Sequence, residues 1–342
     1  MNKKKILILG STGSIGKSTL NVLGNYKNKI EILGLSTNKN FRKLHKQSKL
    51  FNVKNLIIND PDHFFKAKKF FKFKKIKLFQ NVSEFLKKNK KKIDLTIIGI
   101  SGLEGLEPTL KLIPLSKNLA SANKESIICG WEFIKKKLLK YNTNFIPIDS
   151  EHFSIWSLLN SDKDKISKIY LTASGGPFLN SPVNKLKKIK IIIHPKSLIH
   201  AIVVFNNGLI KILMHDTSME IPIFNIIFKN EKINFYKKTE LKFENLNGTN
   251  FIKPNNKKFP YIDILKKYKI KGTFFEVILV TINDELVKLF LNKKISFIKM
   301  QDLLLKTLNK RVFSKYYDKY PTRINDIYKM VNKVKIYLSE NE

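Results

Sequence analysis

The sequence predicts an α/β protein: a parallel sheet at the amino-terminal end, an α+β middle and a helical carboxyl-terminal end. Three observations carry this. Short, near-continuous apolar runs alternate with polar, helix-compatible segments through the first half, the pattern of parallel strands covered on both faces. After Asp149 the texture changes to alternating runs joined by an Asn-Asn-Gly turn, a hairpin signal. Near the end an apolar stripe recurs at helical spacing.

Taken in order, KILILG (5–10), EILGLS (31–36), VKNLIIN (53–59), DLTIIGI (94–100) and TNFIPID (143–149) read as parallel strands, and a further strand is presumed before ASANKESIICG (120–130). The segments KIYLTASGG (168–176) and KIIIHPKSLIHAIVVFNNGLIKILMHD (190–216) predict a second, largely antiparallel sheet. A polar connection rich in Asn, Gly and Pro occupies 243–260. Over 321–338, Ile324, Ile327, Tyr328, Val331 and Val334 form the core stripe of a helix begun by Pro321. The expected units are 1–149, 150–242 and 243–342.

A chain of 342 residues with 43% hydrophobic composition is long enough to bury two or three cores. No apolar run approaches the length that spans a bilayer, and the amino-terminal apolar stretch is too short for a signal peptide, so a soluble cytoplasmic protein with no membrane partner is expected. The single cysteine, Cys129, reads as a small buried hydrophobe. The net charge of +38 fits nucleic acid, anionic lipid or an anionic small substrate. Its lysines are spread along the whole chain with no nucleic-acid-binding motif, which excludes nucleic acid as the expected main partner.

KKKILILGSTGSIGKSTLNVL combines a strand, a glycine turn and a helix start. Gly10, Gly13 and Gly16 are spaced by three, which permits a tight turn and aims a helix N-terminus at a phosphate. Gly16-Lys17-Ser18 also resembles the end of a P-loop, but five residues rather than four separate Gly10 from Gly16, which favours a dinucleotide and a Rossmann domain. The second strand ends in Ser36-Thr37-Asn38-Lys39-Asn40, without the acid that binds the ribose of NAD. A 2′-phosphate is attracted there, so NADPH is the expected cofactor. In IPIDSEH (146–152), Asp149 and Glu151 are read as an extended i, i+2 pair projecting together, and two carboxylates that close repel unless a cation, a proton or solvent intervenes, a solvated loop being the plainer reading of the pair alone.

In their order, GSTGSIG, ASANKESIICG, PIDSEH, LTASGGPF (171–178) and IHPKSLIHAIV (193–203) resemble the 1-deoxy-D-xylulose 5-phosphate reductoisomerase family, over nearly the whole chain. The resemblance implies a Rossmann domain with a parallel sheet, a central α+β catalytic domain, a C-terminal α-helical domain and a homodimer. It also implies NADPH- and metal-dependent conversion of a phosphorylated sugar to 2-C-methyl-D-erythritol 4-phosphate in isoprenoid synthesis. Thr12, Gly13, Ser14 and Ile15 match the residues that cradle the cofactor's pyrophosphate, with Asn38, Lys39 and Asn40 near its adenosine end. Asn123 and Glu125 match cofactor contacts, and Lys124, Ser150, Glu151 and Ser174 match substrate contacts. Asp149 and Glu151 match two of the family's three ligands for Mg2+ or Mn2+; with Lys124 they form the expected catalytic set.

The chain departs from the family between GGPF and IHPKS. Only LNSPVNKLKKIKII (179–192) stands where the family has a flap, phosphate anchors and the third metal-binding Glu. Asp216 and Glu220 are the candidates for a replacement ligand, and Lys185, Lys187 and Lys188 for the phosphate. The alternative reading is an inactive relative that keeps the fold and its cofactor.

Overall fold

In the computed structural model, seven parallel strands form one sheet in the order β4-β3-β2-β1-β5-β6-β7. The structure describes residues 3–160, 165–172, 189–229, 231–237, 243–255, 264 and 272–341. The strands are β1 Lys4–Leu9, β2 Ile30–Thr37, β3 Asn55–Ile58, β4 Lys77–Phe79, β5 Ile93–Ile98, β6 Ser116–Ser121 and β7 Asn144–Pro147. The connecting helices are α1 Ser14–Gly24, α2 Phe41–Leu50, α3 Pro61–Phe71, α4 Val82–Lys88, α5 Leu106–Leu112 and α6 Lys124–Tyr141. Because the chain goes from β1 to one side and returns to β5 on the other, the sheet has its switch point between those two strands, where a Rossmann sheet opens a crevice.

Side chains alternate across the sheet, so each apolar strand feeds two cores. Leu7, Leu9, Ile98 and Leu119 pack to one face, and Ile6, Ile8, Leu95, Ile97 and Ala120 to the other. All four of Ile6 to Leu9 are fully buried, so each stabilises the fold by about 1.5–3 kcal/mol relative to exposure. β4 is an addition to the sequence reading. Its three residues, Lys-Leu-Phe, are too short and too polar to stand out, and its pairing to β3 places it.

The helix α7, Ser150–Asn160, leads into a four-stranded sheet ordered β11-β10-β8-β9, with β8 Ile166–Thr172, β9 Ile189–Ile192, β10 Ile199–Phe205 and β11 Ile210–Met214. β10 pairs antiparallel to both neighbours, as expected, while β8 and β9 run parallel. The hairpin falls where the sequence places it, with Gly208 at φ +88° in the turn between Val204 and its partner Ile210. The continuous run expected over 190–216 is broken after Ile192, where Pro195 cannot donate to a ladder. Ser174, Lys185, Lys187 and Lys188 lie outside the described residues.

The remaining helices are α8 Glu220–Phe228, α9 Phe243–Leu246, α10 Phe274–Leu291, α11 Phe297–Leu308, α12 Arg311–Ser314 and α13 Ile324–Glu340. Phe275, Ile278 and Ile282 of α10 join Ile327, Val331 and Val334 of α13 in the core on one face of the parallel sheet, and Ile223, Phe224 and Ile227 of α8 join the core on the other. The last helix starts later than its proline suggests. Asp326 Oδ2 accepts hydrogen bonds from the backbone N–H groups of Thr322 and Arg323 at 3.1 and 2.9 Å, fixing the start at Ile324. Among the described residues no helix is long and apolar enough to cross a membrane.

Candidate active site

The glycine turn sits at the carboxyl end of β1, beside the end of β5. Gly10 has φ +75°, and a Cβ there would stand 2.4 Å from the Gly99 carbonyl oxygen. A Cβ on Gly16 would lie 2.3 Å from Ser11 Cα, so both positions require the missing side chain. The turn is pinned to β2: Ser36 Oγ accepts from Gly10 N–H at 2.8 Å, and the Thr12 and Thr37 hydroxyls are 2.7 Å apart. Gly13 and Ser14 are left exposed at the start of α1, whose Gly13 cap makes no side-chain hydrogen bond, and a helix N-terminus suits a pyrophosphate. This bare, exposed cradle fits a dinucleotide.

At the end of β2 the chain turns into α2 with Asn40 as its cap, its side chain accepting Lys43 N–H at 3.0 Å. Asn38 accepts Asp60 N–H through its carbonyl at 3.2 Å, and Lys39 is exposed beside it. The charge of Lys39 helps hold Asp60 below the ordinary carboxylate range, after the larger effect of hydrogen bonds from His63.

β6 and β7 pair in register to Ser121 and Pro147, which brings the loops after them together on the same edge as the glycine turn. Asn123 caps α6: its Oδ1 accepts Ser126 N–H at 2.7 Å, while Nδ2 donates to the carbonyls of Ile100 and Gly102, both at 2.7 Å. That side chain is fully committed to tying the α6 start to the loop after β5. Lys124 follows, and its charge acts on Asp149. Glu125 acts instead on Asp284 of α10, which burial first and then the Glu125 carboxylate push up to about 6.

The expected extended pair is corrected by the structure. Asp149 caps α7, its Oδ1 accepting His152 N–H at 2.8 Å and its carbonyl accepting Phe153 N–H at 3.0 Å, so Ser150 and Glu151 lie in the first helical turn. An aspartate followed by helix-compatible residues is a capping signal as much as a strand end. Burial raises the Asp149 carboxyl's pKa, but the His152 ring and backbone hydrogen bonds and the charges of His152 and Lys124 outweigh it and hold it low. A buried carboxylate kept anionic is a hard oxygen donor, which fits Mg2+. Ser150 Oγ lies 3.6 Å from Met219 Sδ.

Glu151 raises the pKa of His200, whose ring stacks on His215 with centroids 4.0 Å apart. Burial, then the neighbouring His215, dominate and bring His200 down to about 4, so it is neutral at pH 7. The structure does not bring the suggested replacement ligands to the pair. Glu220 is held by Asn21 Nδ2 at 3.2 Å and by Tyr236 Oη and Lys237 Nζ, both at 2.5 Å, and Asp216 is exposed. Among the described residues no group of three or more His, Cys, Asp or Glu is placed to hold a metal. His152 and Met219 were missed in the sequence; the Asp-x-x-His spacing was the available sign for the first.

Three family models match this chain: 1-deoxy-D-xylulose 5-phosphate reductoisomerase over residues 6–130, its C-terminal domain over 145–203, and a DXP reductoisomerase C-terminal domain over 214–337. The reductoisomerase of Pelagibacter ubique is 42% identical, covering 98% of this chain and 99% of its own length. That alignment extends over 384 positions against 342 residues here, so at least 42 of them have no residue in this chain. The Sulfurihydrogenibium reductoisomerase is 30% identical over 96% of both chains. Among solved structures, the Zymomonas mobilis reductoisomerase in complex with NADPH superposes with a TM-score of 0.84 at 24% identity, covering 98% of each chain. A DOX-P reductoisomerase with NADPH, fosmidomycin and magnesium superposes at 0.86 and 21% identity, again covering 98% of each chain. The chain belongs to the 1-deoxy-D-xylulose 5-phosphate reductoisomerase family.

Proposed function

We infer that this protein rearranges and reduces 1-deoxy-D-xylulose 5-phosphate to 2-C-methyl-D-erythritol 4-phosphate, with NADPH as reductant and a divalent cation, in isoprenoid synthesis. The observation that carries the reading is the convergence of the glycine turn, Lys124 and the Asp149/Glu151 pair on one edge of the parallel sheet. When bound, the cation supplies Lewis-acid polarisation of the substrate's ketone and hydroxyl oxygens and the nicotinamide supplies a hydride.

The chain's own residues then have distinct tasks. Thr12, Gly13, Ser14 and Ile15 hold the pyrophosphate, and Asn38, Lys39 and Asn40 the adenosine end. Asn123 and Glu125 organise the nicotinamide side through the loop that Asn123 fastens. Asp149 and Glu151 would hold Mg2+, with Mn2+ as a chemically equivalent occupant, and His152 fixes the orientation of Asp149. Lys124, Ser150 and Ser174 bind substrate, with Lys124 placing positive charge next to the metal-side carboxylates. Neither Glu220, whose carboxylate is bonded to Asn21, Tyr236 and Lys237, nor the exposed Asp216 is proposed as the third ligand.

We further propose the three-unit division at 149 and 242, a cytoplasmic location and a homodimer. Support for the dimer comes from β11, an edge strand with Leu209 before it and Ile210 and Ile212 on it, all more than half exposed. The test of function is NADPH oxidation with 1-deoxy-D-xylulose 5-phosphate and Mg2+ or Mn2+, beside an Asp149→Asn control. Turnover that falls by at least about a hundredfold in the control supports the reading; an inactive parent protein refutes it.

A further inference from the structure

The basic, aromatic segment KKFFKFKKIKLF (68–79) has no task in the reading above. Helix α3 turns Phe64, Ala67 and Phe71 into the core at i, i+3, i+7 spacing. The other rings face outward: Phe65 is 61% and Phe73 92% exposed, while Phe70 sits on the rim against Phe41 and His45 of α2. Phe73 stands in the turn into β4, which backbone bonds hold in place. Lys74 N–H donates to the Phe71 carbonyl at 2.9 Å, and Lys77 N–H to the Lys54 carbonyl at 2.7 Å. The result is a fixed projecting knuckle.

Seven lysines lie between residues 66 and 77, and no Asp or Glu stands between Asp62 and Glu84. Among the described residues none of the seven forms an ion pair with a carboxylate. Three rest on rings instead: Lys74 Nζ is 3.4 Å from the Phe70 centroid, Lys68 Nζ 4.8 Å from that of Phe64 and Lys72 Nζ 5.5 Å from that of Phe73. Apolar and cationic groups are thus interleaved on one surface. A fully apolar ring left in water beside unneutralised cations fits a partner that is anionic outside and oily beneath, the make-up of an acidic lipid surface. The cations are all lysine. Arginine's planar fork suits the fixed phosphates of a nucleic-acid strand, whereas a point charge on a flexible stem can follow mobile headgroups, and a projecting turn gives a strand no groove to track.

α3 runs from the carboxyl end of β3 to the amino end of β4, so the knuckle lies at the opposite edge of the parallel sheet from the glycine turn and Asp149. We propose that Phe65, Phe73 and the lysines around them dock this protein peripherally on an anionic bilayer, the rings entering the headgroup layer and the ammonium groups meeting lipid phosphates. The candidate active site faces away from the lipid in that pose. Such docking needs no membrane-spanning helix and does not depend on the catalytic reading.

The test is co-sedimentation of the purified full chain with vesicles of equal parts phosphatidylglycerol and phosphatidylcholine, and with vesicles of phosphatidylcholine alone. The parent protein should bind the first and not the second, and added salt should weaken the binding. Phe65→Ser combined with Phe73→Ser should lower vesicle affinity by about tenfold or more, and Lys72→Gln, Lys74→Gln and Lys75→Gln combined by about a hundredfold. In Phe73→Trp, indole emission should shift to the blue on adding anionic vesicles, beyond any shift of the parent protein with its Trp131 and Trp156. Lys306→Gln, Lys310→Gln and Lys315→Gln combined remove the same charge from exposed positions at the helical end and should change affinity by less than about threefold. Equal loss in that control would mean that net charge alone attracts the vesicles. Unchanged affinity in the double serine variant would mean that the rings stay out of the lipid, and a parent protein that leaves anionic vesicles unbound would mean that there is no lipid docking; each of the three overturns the proposal. Binding of single-stranded RNA that is lost with the two rings, while vesicles go unbound, would assign the knuckle to nucleic acid instead. Phe65 and Phe73 lie outside the core, so the serine variants should melt as the parent does and keep the test decisive.

Discussion

His152 Nδ1 lies 2.8 Å from Asp149 Oδ1 and 3.0 Å from Oδ2, while the same Oδ1 accepts the His152 backbone N–H. One residue thus grips the proposed metal-side carboxylate through both ring and backbone. Replacing the ring in His152→Phe leaves the backbone bond and removes the orienting one. Mg2+ affinity, measured by calorimetry, should fall by about tenfold to a hundredfold, the usual effect of removing a group that orients a ligand. An unchanged affinity would show that the ring does not position Asp149.

Asp284 gives a stability prediction with a definite sign. Its folded pKa of about 6 exceeds the ordinary 3.8, so the folded state binds its proton more tightly than the unfolded state. Stability from this group is fully present below the unfolded value and is lost as pH rises through about 6. Asp284→Asn should stabilise the protein at pH 7 by about 1–2 kcal/mol, discounted for partial exposure, and have little effect below pH 4. Urea denaturation at the two pH values measures the difference.

Asp149 behaves oppositely. Its depressed folded pKa means that its contribution is present above the unfolded carboxylate value and disappears as pH falls through the lower folded one. Asp149→Asn should therefore flatten the acid limb of a stability-versus-pH curve taken without metal, a change visible in melts between about pH 2 and 5.

Glu220 ties α8 to α1 through Asn21 and to the following segment through Tyr236 and Lys237. Glu220→Gln should lower stability by about 1–2 kcal/mol in urea denaturation, because Asn21 and Tyr236 lose a charged hydrogen-bond partner. Mg2+ affinity should not change in this variant or in Asp216→Asn. A loss of affinity in either would reinstate that acid as a ligand.

Gly16→Ala places a methyl group within 2.6 Å of three backbone atoms of Gly10 and Ser11, none of which can swing aside. The turn must open, and NADPH affinity should fall by more than about tenfold, with thermal stability down by about 2 kcal/mol or more.

What the sequence revealed follows from where its information is local. β1, β2, β3 and β5 were readable because burial on both faces makes their apolar runs nearly continuous, and the glycine spacing announced its own turn. β4 was not, since three residues with a leading lysine carry no period, and its pairing to β3 comes from the tertiary fold. The Asp149/Glu151 pair was found by spacing but given the wrong local geometry, because a capping aspartate and a strand-end aspartate look alike until the next turn forms. Lys43 and Met219 were invisible for a different reason: their contacts, with Thr12 and with Ser150, join residues 31 and 69 positions apart.

The packing of α10 and α13 on one side of the parallel sheet, and of α8 on the other, means that this enzyme wears its tail as a lid over its own foundation. Trimming either terminus by more than a few residues would strip oily surface bare and invite clumping.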